Sequence, residues 1–161
     1  MANKKANGLH FTAKYRQSRE GGYHYLAVPA AIKQQFAVKG TARVVATIGN
    51  LPPFQCGLMP MKSGEGLLLI NKARQKLLGL QQGALIEVSL KMDESEYGAP
   101  MPEELEAVLA QDEEAKARFD SLTPGRKRAI LFEVDRLKGV DRRMERAIKL
   151  LLDPQMGQGR W

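Results

Sequence analysis

The sequence predicts an α+β protein: a β-barrel assembled from two pseudo-symmetric halves, followed by a C-terminal segment of three to four short helices. Two observations carry this. Residues 26–45, LAVPAAIKQQFAVKGTARVV, and residues 68–88, LLINKARQKLLGLQQGALIEV, repeat one pattern of apolar strand, short helix, glycine and second apolar strand. Val28, Ala31, Phe36 and Val38 fall on Ile70, Ala73, Leu78 and Leu80 at a constant offset of 42, and Gly40 falls on Gly83 after one inserted residue. A unit this short cannot bury its own apolar face, so the two copies are expected to complete one core. The second observation is that beyond residue 100 the apolar period switches from two to about 3.6,.

Taken in order, residues 1–8, MANKKANG, read as a flexible basic arm,. Leu9, Phe11, Ala13 and Tyr15 alternate with polar residues, the pattern of a strand with one buried face,. Turn chemistry in Arg16 to Gly22 leads to a strand over Tyr23 to Val28,. Pro29 then stands at a helix start, where its missing N–H costs nothing, before the helix formers of Ala30 to Phe36,. Ala42 to Ile48 is rich in β-branched residues and ends at the turn pair Gly49-Asn50,. The segment LPPFQCGLMPMKSGEG predicts a short strand over Phe54 to Met59 and a hairpin at Ser63 to Gly66, and Leu85 to Met92 closes the second copy.

The barrel region is placed at 9–98, with its limit near Tyr97 to Pro100, and the helical region at 99–153. There Pro102, with Glu103 and Glu104 in the favoured first turn, leads into Leu105, Val108 and Leu109,. Ala115, Phe119 and Leu122 extend a second helix. Thr123 and Pro124 form an N-cap and N1 pair for a third, whose Ile130, Val134 and Leu137 share one face up to a stop at Gly139,. Asp141 is expected to cap the last helix, with Met144, Ile148 and Leu151 as its apolar stripe, and 154–161 is a loose tail.

The chain has 161 residues and a formal net charge of +7. Residues 1–50 hold eight bases against the single acid Glu20, while the remainder is balanced. Such asymmetry makes Lys14, Arg16, Arg19, Lys33 and Arg43 candidate contacts for an anion or nucleic acid,. The single cysteine, Cys56, excludes an intrachain disulfide and reads as a small buried hydrophobe,. No signal peptide and no apolar run of about 18 residues is present, so a cytoplasmic protein without membrane insertion is expected,.

No catalytic residues, metal ligands or cofactor are expected. His10 and His24 lie on different strands without metal-site spacing, and Gly64-Glu65-Gly66 lacks the helix and lysine of a phosphate loop,. The acids from Glu103 to Asp120 read as a solvated helix face,. Lys138, Arg142 and Arg146, four apart, are expected along one helical side, neutralised by Glu133, Asp135, Asp141 and Glu145,.

The repeat resembles the swapped-hairpin half of AbrB-type proteins, which build a double-split β-barrel from two chains; here one chain supplies both halves, so a monomer is expected. The chain also resembles a bacterial family in which a β-barrel domain of unknown function precedes a helical region linked to bacteriocin protection or OmpD association. The residues carrying this resemblance are Tyr25 to Pro29, Ile48-Gly49, Gly57 to Pro60, Lys72 with Arg74, and Gly83, then Pro102 with Leu105, Ala115 with Phe119, Leu122 with Pro124, Lys138, Arg143 and Arg146. It departs at Ala84, where an acid is usual, at Phe132, a displaced aromatic, and at the pairs Leu137-Lys138 and Arg142-Arg143. The resemblance implies a non-enzymatic accessory protein acting on a protein partner, with Lys72, Arg74, Lys138, Arg143 and Arg146 as the motif site. The alternative is a nucleic-acid-binding module that uses the basic N-terminal half.

Overall fold

A computed structural model describes residues 8–19, 22–36 and 40–152, so the basic arm, Val38 of the repeat and the tail lie outside the described residues. The chain divides into two compact units between Glu94 and Ser95.

The first unit is a closed six-stranded barrel. Its strands are β1 (Leu9–Gln17), β2 (His24–Val28), β3 (Ala42–Ile48), β4 (Phe54–Pro60), β5 (Gly66–Ile70) and β6 (Leu85–Met92). Two short helices interrupt them, α1 (Ala30–Lys33) after β2 and α2 (Lys72–Leu78) after β5. The order around the barrel is β1-β2-β5-β4-β3-β6, and every neighbouring pair is antiparallel. Closure leaves no long sheet edge to attract another chain.

The register makes the repeat an approximate two-fold axis. Leu26 pairs with Leu68 and Thr47 with Ser89, in each case residues 42 positions apart facing their own counterpart. The symmetry also takes in the strand before each copy. Phe11 opposite Val88 on β1 and β6 is mirrored by Phe54 opposite Ala46 on β4 and β3. Each half is therefore strand, strand, helix, strand. The inserted residue that aligns Gly40 with Gly83 stays in the loop and does not shift the strands. Leu26, Val28, Val44, Ile48, Leu58, Leu68, Val88 and Leu90 join one buried cluster, so the two copies do enclose a single interior.

The mirror fails in one place. β1 and β2 are joined by four register pairs, Lys14 to Gln17 with Ala27 to His24, whereas β4 and β5 are joined by only two, Met59 with Leu67 and Pro60 with Gly66. A side chain at Gly66 would bring its Cβ within 2.6 Å of Leu58 Cδ1, so the close approach there requires glycine,. Beyond Met59 and Leu67 no register pair joins β4 to β5, so the counterparts of the Lys14–Ala27 and Tyr15–Leu26 pairs, at Gly57 with Leu69 and Leu58 with Leu68, are missing from this seam.

The second unit contains α3 (Glu103–Gln111), α4 (Glu113–Asp120), α5 (Pro124–Asp135) and α6 (Val140–Leu152). Asp112 accepts a hydrogen bond from the Ala115 N–H and Thr123 from the Arg126 N–H, which supplies the caps of α4 and α5,. Leu105, Ala115, Phe119, Ile130, Leu131, Val134 and Leu150 form its core, and Tyr97 meets the Phe119 ring edge-on at 5.4 Å. Tyr97 and Ala99 thus pack with the helices.

Three expectations for the helices are corrected. The second helix stops at Asp120, so Leu122 packs on the core from the following turn. Asp141 sits inside the first turn of α6, because Gly139 at φ +94° lets the chain turn one residue earlier,. Ile148 is 42% exposed, and Ala147 and Leu150 join Leu151 in facing the core, which rotates the buried stripe by about a quarter turn,.

Candidate functional site

The opening between β4 and β5 forms a cleft of about 460 Å³. Its walls come from four stretches: Gly22 to His24 at the start of β2, Phe54 to Cys56 on β4, Leu69 and Ile70 on β5, and Asn71, Lys72, Arg74 and Gln75 around α2. Local chemistry fixes the last wall. Asn71 Oδ1 accepts from the Arg74 N–H and starts α2, and Gln75 Nε2 donates to the Ile70 carbonyl at 2.7 Å, tying the helix to the end of β5,.

Arg74 dominates the site. Its guanidinium lies 3.5 Å from the centre of the Phe54 ring, a close cation–π contact,. Among the described residues no carboxylate forms an ion pair with Arg74 or with the exposed Lys72. Burial lowers the Arg74 pKa, opposed by the adjacent Cys56,.

Cys56 borders the same cleft and packs against the barrel core. Burial pushes its thiol up to about 11, although the Arg43 and Arg74 charges pull the other way and Asp93 adds to the rise,. It is a neutral thiol near pH 7 and agrees with the small-hydrophobe reading. Its ordinary value is 9.0, so iodoacetamide is expected to alkylate it about 100-fold more slowly at pH 8 than an unfolded control,. The rate should climb about tenfold per pH unit until pH passes its pKa. Equal rates for native and unfolded chain would disprove the burial. On the opposite wall His24 Nδ1 lies 2.6 Å from the hydroxyl of buried Tyr15, which holds the imidazole in place.

The structure brings Lys72 and Arg74 together, and adds Phe54, Cys56, Tyr23 and His24. Pairing Lys72 with Arg74 in the sequence pointed to one wall; the others depend on where β4 parts from β5. The basic N-terminal candidates are arranged differently. Lys14 and Arg19 are exposed on β1 and the turn after it, while Arg16 forms an ion pair with Glu65 at 3.5 Å. Lys33 on α1 lies beside Gly66, and Arg43 on β3 lies beside Gly57.

In the helical unit the motif cations are tied down. Arg143 Nε lies 3.1 Å from Glu104 and its guanidinium 3.5 Å from Asp135, so one side chain of α6 links α3 and α5. Arg146 and Arg136 both reach Glu133, at 2.9 and 2.7 Å, and these hydrogen bonds hold the Glu133 carboxyl below its ordinary value, the Arg136 bond contributing most,. Of the expected network only the Arg146–Glu133 pair and the acid Asp135 are seen; Arg136, Arg143 and Glu104 complete it, and among the described residues Lys138, Arg142, Asp141 and Glu145 form no ion pair. Lys138 is exposed and precedes the Gly139 break, so it does not share a helical side with Arg142 and Arg146. Among the described residues no three His, Cys, Asp or Glu side chains are placed to hold a metal, and no helix is long and apolar enough to cross a membrane.

The fold defines a class: a single-chain barrel of two related halves with one open seam, joined to a four-helix unit. Residues 11–90 match the family described as a domain of unknown function, DUF1905, and residues 99–152 match the family described as bacteriocin-protection, YdeI or OmpD-associated. The two matches follow one another along the chain in the order the resemblance implied. No curated protein matches it.

Proposed function

We propose that the protein is a non-enzymatic accessory factor that contributes to protection against bacteriocins or related antimicrobial peptides by binding a protein partner. The observation that carries this reading is the match of residues 99–152, the helical unit, to the family of that description. The chemistry of the chain supports a binding role. The Cys56 thiol is neutral near pH 7, and Arg143 and Arg146 serve to join helices,.

The test is killing by bacteriocin. A sensitive bacterial strain that expresses the full chain is expected to survive a higher bacteriocin concentration than the same strain with an empty vector. A Phe119→Ala chain, which loses the helical core, should not protect. Identical killing curves with and without the full chain would refute the proposal.

The nucleic-acid reading has less support. Exposed Lys14 and Arg19 favour it, but Arg16 between them is already neutralised by Glu65, and Lys33 and Arg43 stand on other elements.

A further inference from the structure

We infer that the open seam between β4 and β5 is a binding site for a small amphipathic anion, an organic acid or phosphate whose oxyanion sits on Arg74 and Lys72 and whose apolar body lies along Phe54, Tyr23 and Leu69. The inference concerns the barrel and does not rest on the helical unit's proposed role.

Three independent observations lead to it. The first is the broken symmetry. The counterpart of Arg74, 42 residues earlier, is Ile32, which packs against the barrel core. The counterpart of Lys72 is Ala30. The first half therefore closes its seam with apolar side chains and two additional strand pairs, whereas the second half keeps the seam open and places two cations on it. A purely structural element would repeat the apolar solution.

The second observation is the state of the guanidinium. Arg74 is half-buried, its face is covered by Phe54, and no acid neutralises it among the described residues. Arg143, comparably buried, is held by two carboxylates. A guanidinium whose face lies on a ring keeps its in-plane donors for bidentate contact with a carboxylate or phosphate,. The third is the lining. Tyr23 and Leu69 are 48% and 47% exposed and border the cleft together with Phe54. At about 460 Å³ the space falls within the range of small-ligand sites, which are apolar with a few placed polar groups,.

The experiment is calorimetric titration of the full chain with 4-phenylbutyrate and with 3-phenylpropyl phosphate, against 4-phenylbutanol and 4-phenylbutylammonium as controls. Binding of the carboxylate, the phosphate or both, with neither control binding, is the expected result, and the tighter of the two identifies the source of the oxyanion. Arg74→Gln should weaken that binding about 10- to 100-fold, and Arg74→Lys, which keeps the charge but loses the fork, should weaken it less. Should Arg74→Gln fail to fold, the unaltered chain still decides: the bound anion is expected to slow alkylation of Cys56, which borders the cleft. Binding of the alcohol as tight as that of the anions would overturn the inference. So would undiminished binding by a folded Arg74→Gln chain, unprotected Cys56, or no binding of either anion at about 10 mM.

Discussion

Leu26→Ala and Leu68→Ala are each expected to lower the unfolding free energy of the barrel by about 2–5 kcal/mol, the range for leucine truncation in a packed interior. The two side chains are 0% and 1% exposed and face one another where the symmetry axis crosses β2 and β5. Because they are direct register partners, their effects should not add; the coupling in a double-mutant cycle is expected at about 0.5–3 kcal/mol. Urea titration followed by circular dichroism measures all three variants. Leu69→Ala is the control, since Leu69 is 47% exposed and points outward, and its cost should stay within about 0.5 kcal/mol,. A Leu68→Ala cost no larger than that of Leu69→Ala would mean that the second copy does not share the first copy's interior.

Phe119→Ala should be the most damaging single change in the helical unit, at about 3–5 kcal/mol. Phe119 is 1% exposed, carries the edge-on contact with Tyr97 and lies 5.7 Å beneath the Lys127 ammonium, so truncation removes packing, an aromatic pair and a cation–π contact together,. Thermal melting followed by helical circular dichroism reports the loss. Phe132→Ala supplies the comparison, because Phe132 is 38% exposed on α5 and its loss should cost far less. Equal destabilisation by the two substitutions would show that the Phe119 ring is not the centre of this core.

The strands were readable because barrel walls impose a strict period of two. In β3, Ala42, Val44, Ala46 and Ile48 are all buried and Arg43, Val45 and Thr47 are only partly covered, the alternation the residues themselves display,. The last helix was less readable for a definite reason. Met144, Ala147, Ile148, Leu150 and Leu151 offer more apolar positions than one face needs, and the packing of α6 against α3 and α4 selects Ala147 over the bulkier Ile148,. The candidate site was legible only in part. Lys72 and Arg74 sit two residues apart on α2, whereas Phe54, Cys56 and His24 join them through tertiary structure. What opens the cleft is the ending of the β4–β5 ladder after Met59 and Leu67, and pairing length leaves no local signature in the chain,.

Carrying both halves on a single polypeptide has a consequence for how such a molecule can change. A ring made of two identical subunits must present every mutation twice, so whatever opens one mouth opens its twin and weakens the whole. Here a substitution at residue 74 leaves residue 32 untouched. One copy is free to specialise while its sister remains a plug that keeps the ring shut.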